Sequence, residues 1–269
     1  MRIDFHTHVF PERTAQRAVK RLNTLFGVRC SGAGSPSALA EDRADAGIET
    51  SVVLCCAERP SLVVPVNNFA LQMNQEKGCI AFGTVHPEAA AWEQELARLE
   101  KGGVHGIKLH PEYQGIDLDD ERLMPVYEAC QGRFCVLVHT GGSVLEPAAS
   151  KASPGRLMHV LENFPRLDVV AAHFGGQGVW GYASECLRAY RGEHLWLDTS
   201  SSTAFLDGAE LRELFSMQPF ERFLFGSDWP IYKPEEELYR LRKLSGFGDD
   251  KIEALLGNGE SLLAEYHML

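Results

Sequence analysis

Short runs rich in valine, isoleucine and leucine recur along this chain, and they constrain its fold more than any other feature. Eight runs are predicted to be β-strands, with ends near His8, Leu54, Val85, His110, His139, His173, Thr199 and Ser227. From the second end onward, neighbouring ends lie 25–34 residues apart, which is the length of one strand and one helix. Because the runs are continuous rather than alternating, they are typical of parallel strands that are buried on both faces.

Helical segments are predicted between the strands, at residues 37–46, 66–77, 92–101, 120–131 and 235–244. Glycines follow the first three of these, as is common where a helix ends. Strands that alternate with helices indicate an α/β fold, a (β/α)8 TIM barrel, and we expect residues 1–269 to form a single domain. An open doubly wound sheet is the alternative, but the turn after the first strand lacks the glycine-rich phosphate motif of that fold.

The composition argues against several classes of partner. The chain of 269 residues has a formal net charge of −11, which is unfavourable for binding nucleic acid or an anionic membrane. It contains no apolar stretch approaching the roughly 20 residues of a membrane helix, and we expect no signal peptide. The seven cysteines form neither a CxxC pair nor a disulfide pattern, as in reduced cytosolic proteins. We therefore predict a cytoplasmic protein that acts on a small molecule, either alone or as a homo-oligomer.

Polar side chains stand at the predicted carboxyl ends of four strands. His6 and His8 are two residues apart and share one face of an extended strand. His139, His173 and Asp228 each follow a buried apolar run. In a parallel barrel these ends meet at one rim, where imidazoles and a carboxylate can share a metal ion. A buried structural histidine is the ordinary alternative for one such residue, but four at converging ends favour a metal site.

This donor set is rich in nitrogen, so zinc is the favoured ion. Three imidazoles and one carboxylate leave a position for water, whose pKa the metal lowers towards neutrality. The remaining histidine, His173, is then available as an acid or a base near the substrate.

Four segments of the chain stand out together. They are Asp4-Phe5-His6-Thr7-His8, the strand-5 His139, the strand-6 His173 and Gly226-Ser227-Asp228-Trp229-Pro230. From residue 2 to about residue 264 the chain resembles the amidohydrolase superfamily, in particular its amidohydrolase-related branch (amidohydrolase 2) of metal-dependent hydrolases and non-oxidative decarboxylases. The resemblance implies that His6, His8, His139 and Asp228 bind the metal. It also implies that Asp228 accepts a proton from metal-bound water. His173 is, by the same resemblance, either an acid or base just outside the metal's ligand set or a ligand of a second metal.

Lys108 lies in Gly106-Ile107-Lys108-Leu109-His110-Pro111, at the end of the fourth predicted strand. The segment is similar to the Lys-Leu-Tyr-Pro stretch of dihydroorotases, in which the lysine is carboxylated and bridges two metals. By that resemblance Lys108 can be a carboxylated ligand, but it can also be an ammonium that faces the substrate or a member of a structural ion pair. We favour one divalent metal per chain, because mononuclear sites are usual in the branch that this chain resembles.

Further residues are candidates for substrate contacts. His110 shares a strand face with Lys108, although a capped loop histidine is an equal alternative. Trp180, Trp229 and Tyr232 follow the sixth and eighth strands, where they can stack on an aromatic substrate or pack at the rim. From these residues we predict substrate contacts for His110 and Trp229.

The main functional hypothesis is a metal-dependent hydrolase in which a metal-activated water attacks an ester, lactone or amide carbonyl. Asp228 and His173 manage the protons, and Lys108 is a third catalytic candidate. The alternative is a non-oxidative decarboxylase of an aromatic or enoic acid, with His173 delivering the proton to carbon. A non-catalytic barrel that binds a metal or a ligand is the third hypothesis. Both reactions use the same metal ligands. The features that distinguish them are a clamp for the substrate carboxylate beside the metal, and whether water is poised for attack or the pocket is buried and dry.

Overall fold

A computed structural model of the protein describes residues 1–142 and 145–269. Its strands form one sheet in which every neighbouring pair is parallel and the spatial order follows the chain. They are β1 (Ile3–Thr7), β2 (Thr50–Leu54), β3 (Cys79–Thr84), β4 (Gly106–Leu109), β5 (Cys135–Val138), β6 (Val169–Ala171), β7 (Leu195–Asp198) and β8 (Phe223–Leu224). The prediction of an eight-stranded α/β barrel is confirmed.

Helices alternate with the strands. In chain order they are α1 (Ala15–Phe26), α2 (Pro36–Asp45), α3 (Val63–Met73), α4 (Trp92–Lys101), α5 (Pro111–Gln114), α6 (Met124–Cys130), α7 (Pro154–Asn163), α8 (Trp180–Leu187), α9 (Gly208–Leu214), α10 (Pro234–Ser245), α11 (Asp249–Gly257) and α12 (Gly259–Glu265). Within residues 1–142 and 145–269, none of them combines the length and the apolar character that crossing a bilayer requires.

The barrel closes between β1 and the segment that follows β8. The Phe5 N–H donates to the Phe225 carbonyl at 2.7 Å, and the Asp228 N–H donates to the His6 carbonyl at 2.9 Å. The His8 N–H donates to the Trp229 carbonyl at 2.6 Å. These backbone bonds replace a regular ladder between the two strands, so the closure itself sets the positions of residues 6, 8 and 228.

The buried carboxylate of Asp4 reinforces this closure. It accepts hydrogen bonds from the Ser227 N–H at 2.9 Å, from the Ser227 hydroxyl at 2.5 Å and from the His6 N–H at 3.2 Å. Burial raises the pKa of Asp4 to about 7, and the three hydrogen bonds oppose that rise. Asp4 therefore links the start of β1 directly to the residue before Asp228.

The two faces of the strands pack into different layers. Leu54, Phe82 and Leu137 belong to a buried cluster that also contains side chains of the C-terminal helix α12. Val136 and Val138, which point to the opposite face of β5, pack in the larger cluster with helical side chains. We assign the first cluster to the barrel interior.

Polar residues extend this interior face towards the carboxyl ends of the strands. Lys108 pairs in register with Leu137, and Asp198 pairs with Leu224, so both polar residues share the face of their interior partners. The β-strand periodicity therefore directs Lys108 and Asp198 into the barrel, above its apolar core.

The observed elements differ from the predicted ones at several ends. The strand before His173 ends at Ala171, and His173 itself begins a short 3-10 turn with a positive φ of 59°. Asp228 also has a positive φ, 61°, and lies beyond β8 rather than against its end. Helix α1 is not among the predicted helices; the structure begins it after Thr14, a favoured N-cap residue type whose side chain makes no capping hydrogen bond here.

We expect the change Gly106→Ala to destabilise the barrel. A Cβ at this position would lie 2.1 Å from the Phe82 ring inside the closed sheet, so the core would be overpacked by about 1–3 kcal/mol or more. The matched control is Gly181→Ala on α8, where nothing lies within 4 Å of the added Cβ. There the gain in helix propensity should stabilise the protein by up to about 1 kcal/mol. Urea-unfolding midpoints measure both, and equal midpoints for the two variants would contradict the assignment of Gly106 to the interior.

Candidate metal centre and substrate cavity

Three donor atoms converge at the barrel rim. The Nε2 atoms of His6 and His8 are 3.2 Å apart, and each lies 3.5 Å from Oδ1 of Asp228. Ligands bound at about 2.0–2.2 Å to one ion are separated from each other by about 3.0–3.5 Å in tetrahedral or octahedral geometry. The three atoms therefore have the spacing that a single divalent ion requires.

Hydrogen bonds fix the tautomers of the two strand-1 histidines. Nδ1 of His6 lies 2.7 Å from Oδ2 of Asp198, and Nδ1 of His8 lies 3.0 Å from the Leu54 carbonyl oxygen. Because both partners accept hydrogen bonds, the proton of each neutral imidazole is assigned to Nδ1. Both Nε2 atoms then present a lone pair, and partners of this kind commonly orient metal-bound histidines.

Asp228 is held so that one carboxylate oxygen faces these lone pairs. The Ser201 hydroxyl donates to Oδ2, which leaves Oδ1 directed to His6 and His8. Burial alone would raise the pKa of Asp228, but the electrostatic interaction of its carboxylate with His6, His173 and His8 outweighs burial and lowers the pKa. The carboxylate is therefore ionised, as a metal ligand must be.

His139 and His173 form a second imidazole pair beside this group. Nδ1 of His173 donates to the Ser200 carbonyl at 2.9 Å, so its Nε2 accepts the proton on Nδ1 of His139, 3.0 Å away. This arrangement leaves the lone pair of His139 on Nε2. Among the described residues, however, the two donor groups compact enough for one ion are His6 with His8 and Asp228, and His6 with His173 and Asp198. Metal ligation by His139 therefore stays a prediction.

Lys108 and His110 both line the cavity in front of these histidines. Burial lowers the pKa of the Lys108 ammonium, and in the part of the chain that the structure describes no carboxylate lies within ion-pair distance of it. Nδ1 of His110 accepts the Tyr113 N–H at 3.4 Å, which places the proton of its neutral ring on Nε2. The His110 ring also stacks on His139, with centroids 4.0 Å apart and planes at 10°.

Trp229 lies apart from the cavity. Its side chain is fully buried against Gly32, its indole N–H donates to Asp42 at 2.8 Å, and it packs in a core cluster with Leu39 and Val53. Gly32 lies directly against the ring, and Trp229 is not among the described residues that line the cavity. This packing does not support the predicted contact between Trp229 and a substrate, whereas Trp180 does line the cavity.

Asp198 and Ser201 were not among the residues singled out in the sequence. Asp198 is the last residue of β7, so the rule that identified the histidines, a lone polar residue at a strand end, applies equally to it. Its pKa is lowered, because the charges and hydrogen bonds of His6, His173 and Ser200 outweigh its burial. Ser201 lies in a run of serine and threonine residues that carries no spacing signal, and only the fold brings it to Asp228.

The donor group opens into a cavity of about 1280 Å³. The floor of the cavity is polar and contains His6, His8, Lys108, His173 and Asp228. Aromatic and aliphatic side chains supply much of the wall, among them Phe26, Phe69, Tyr113, Trp180, Phe205 and Tyr232. The arrangement can hold a small organic molecule with a polar head against the floor.

Comparisons with known proteins agree with this geometry. A family model described as amidohydrolase matches residues 3–258. A search of curated protein sequences found no significant match. Among solved structures, an uncharacterized TIM-barrel protein from Bordetella bronchiseptica is 23% identical over 99% of each chain, with a TM-score of 0.75.

Two further solved structures share the fold at lower identity. A dihydroxybenzoic acid decarboxylase from Polaromonas sp. JS666, with bound manganese and the inhibitor 2-nitroresorcinol, is 16% identical over 100% of this chain and 98% of that one (TM-score 0.73). A protein described as a probable 2-pyrone-4,6-dicarboxylic acid hydrolase from Acinetobacter baumannii, with citric acid bound, is 15% identical over 98% and 99% (TM-score 0.64). At these identities the likeness shows a common fold.

The double change His6→Ala/His8→Ala should remove a bound divalent ion, since two of the three clustered donors are lost. Elemental analysis of protein reconstituted with zinc or manganese and then desalted measures the occupancy. The control is His159→Ala on α7, whose imidazole is 55% exposed and should not affect metal content. Full occupancy in the double variant would contradict the proposed centre.

The change Asp198→Asn should weaken metal binding about 10- to 100-fold, because the carboxylate that accepts the His6 proton is replaced. Metal titration against a competing chelator measures the affinity. Asp168→Asn is a matched control, since Asp168 is also a buried carboxylate paired with a histidine, His194 at 3.0 Å, but it precedes β6 at the opposite end of the barrel. An equal loss of affinity in both variants would mean that Asp198 acts only through stability.

Proposed function

We propose that this chain, which belongs to the amidohydrolase family, is a divalent-metal-dependent decarboxylase of small aromatic carboxylic acids. The observation that carries the proposal is the buried Lys108 ammonium beside the metal-donor group, in a cavity with aromatic and aliphatic walls. Structural neighbours support it by their described activities, which include the decarboxylation of dihydroxybenzoate and of carboxyvanillate. The proposal reverses the order of the two enzyme hypotheses drawn from the sequence.

The divalent ion would be held by His6, His8 and Asp228, with His139 as the predicted fourth ligand. A bound ion of this kind polarises a carboxylate or phenolate oxygen and stabilises the charge that develops on it. Nitrogen donors with one carboxylate suit several first-row ions. Because a neighbour contains manganese, we propose a divalent transition ion without retaining the preference for zinc.

One metal is the simpler proposal for this site. A second metal would require Lys108 to be carboxylated, whereas His6, His8 and Asp228 can hold one ion without any modified residue. The proposed reaction uses Lys108 as a free ammonium, so carboxylation and catalysis by Lys108 exclude each other. Metal analysis that finds two equivalents in the wild type and one in Lys108→Ala would favour the binuclear alternative.

Decarboxylation of an arene requires one proton and releases one CO2. A proton is added to the ring carbon that bears the carboxylate, the bond between that carbon and the carboxylate breaks, and its electron pair restores the aromatic ring. We assign the proton to the Lys108 ammonium, since burial lowers its pKa and makes it a stronger acid. Solvent then reprotonates the amine.

His173 is a weaker candidate for proton delivery than the sequence indicated. Its one proton donates to the Ser200 carbonyl, and its Nε2 accepts from His139. Burial lowers the pKa of His173 to about 4, so the ring is neutral near pH 7. We therefore propose that His173 orients His139.

A hydrolase remains the second candidate, and one observation separates it from the first. A dicarboxylic lactone would need free cations in the cavity for its carboxylates, but Lys151 and Arg156 are each paired with Asp117, both at 3.2 Å. The wall therefore contains no unoccupied clamp of that kind among the described residues. Among the described lining residues, Lys108 on the floor is then the cation available to a substrate carboxylate, so a dicarboxylic lactone is disfavoured relative to a monocarboxylic acid.

The metal-loaded protein should release CO2 from one or more hydroxybenzoates and leave lactones and esters of similar size intact. Headspace CO2 and chromatography of the arene product measure the first reaction, and a pH indicator measures the second. Hydrolysis of a lactone without CO2 release from any carboxylate would show that the hydrolase hypothesis is right instead.

The change Lys108→Met should lower kcat by about 100-fold or more, because a general acid typically contributes 10²–10⁴-fold. The metal content should not change, since Lys108 is not a ligand in this proposal. Lys77→Met is the control, because this lysine is exposed and is not among the described residues that line the cavity. If Lys108→Met retained full kcat with a raised KM, Lys108 would bind the substrate without transferring a proton.

A further inference from the structure

The cavity is larger than its catalytic floor requires. Its volume of about 1280 Å³ exceeds the 300–1,000 Å³ that is typical of small-molecule sites. A simple hydroxybenzoate placed against the metal-donor group would leave much of this space to other atoms. The chemical character of the remaining lining therefore indicates which groups the rest of the substrate contains.

One part of the wall is charged but already neutralised. Lys151 lies 3.2 Å from Asp117, and Arg156 contacts both Asp117 and Asp119. Glu112 adds a further negative charge and accepts the Lys151 backbone N–H at 2.9 Å. A second carboxylate on the substrate would meet acids here rather than a free cation, so this wall disfavours a dianion.

A different part of the wall is apolar, and we call it the apolar lobe. It consists of side chains from α1, from α3 and from the segments next to them, and none of its members is charged. They are Phe10, Leu22, Phe26, Leu62, Val66 and Phe69. None of these side chains is fully buried in the fold, and Phe26 is 43% exposed. A concave group of half-covered apolar side chains is typical of a surface that a ligand covers.

The apolar lobe is continuous with the catalytic floor. The Phe26 ring stacks on His110 with centroids 6.0 Å apart and planes at 22°, and His110 stacks on His139 at 4.0 Å. An ion pair of 2.6 Å between Arg21 and Glu58 holds α1 against the segment after β2. One ligand can therefore touch the imidazoles at one end and the lobe at the other.

We infer that the substrate is a monocarboxylic arene with an apolar substituent, and that this substituent occupies the lobe between α1 and α3. The inference rests on the proposed function for the end that reacts, since the carboxylate is placed against the metal-donor group and Lys108. The apolar part follows independently from the lining of the cavity. The neutralised wall disfavours a second carboxylate.

The test measures the affinity of the metal-loaded protein for a series of ligands. Calorimetry gives the dissociation constants, so the readout is binding and not turnover. The ligands are 2-hydroxybenzoates with hydrogen, ethyl, butyl or carboxyl at ring position 4 or 5. Each methylene should tighten binding about two- to fourfold in one of the two series, as expected for apolar surface that is removed from water. The carboxyl compound should bind at least about tenfold more weakly than the ethyl compound, because it adds a charge near acidic groups.

Two lobe variants and one control variant locate the effect. Leu22→Asn should abolish the gain per methylene, whereas Leu25→Asn on the same helix should retain it, since Leu25 is 51% exposed and does not line the cavity. Phe26→Ser is a second lobe variant, and its partial exposure makes misfolding an unimportant risk. Unfolding midpoints confirm that the compared proteins are folded.

Any of four results would overturn the inference. They are equal affinity across the alkyl series, tightest binding of the carboxyl compound, binding of no compound, and an unchanged gain per methylene in both Leu22→Asn and Phe26→Ser. CO2 release is measured separately on the same compounds. If longer alkyl groups tighten binding but no CO2 is released, the proposed function fails and the lobe inference stands. If CO2 is released but longer alkyl groups do not tighten binding, the lobe inference fails and the proposed function stands.

Discussion

The site depends on one feature of the barrel, the closure between β1 and the segment after β8. Backbone hydrogen bonds from Asp228 to His6 and from His8 to Trp229 replace a regular ladder there. The Asp4 carboxylate accepts three further hydrogen bonds at the same junction, from His6 and Ser227. Because two of the clustered donors come from one side of this junction and the third from the other, their spacing of 3.2–3.5 Å is a property of the closure.

Several residues at this rim hold backbone conformations that are unfavourable for side chains other than glycine. His173, Ser201 and Asp228 all have positive φ values, between 45° and 61°. Such conformations cost of order 1–3 kcal/mol each and persist where the surroundings hold them. Here the Asp198 carboxylate accepts the His173 N–H at 3.0 Å, and the Ser201 hydroxyl donates to Asp228. These three strained residues therefore lie at the rim where the donor atoms of His6, His8 and Asp228 converge.

Charge and apolar surface are separated within the cavity, and that separation links the two proposals. The imidazoles, Asp228 and Lys108 occupy the floor, where burial lowers the pKa of Lys108, while the side chains of the apolar lobe carry no ionisable group. A carboxylate head and an apolar body would each find a matching surface. Water released from the lobe would contribute binding free energy, and the desolvated ammonium would be a stronger acid.

The sequence by itself determined the barrel and most of its rim, because strand periodicity and the position of a lone polar residue after an apolar run are local signals. His6, His8, Lys108 and Asp228 were all identified in this way. The same rule applies to Asp198 at the end of β7. Only the tertiary structure decided the remainder: it placed Ser201 on Asp228, removed Trp229 from the cavity, and arranged α1 and α3 around the lobe. These are contacts between segments that are distant in the chain, and a local sequence pattern does not specify which distant segment a side chain will contact.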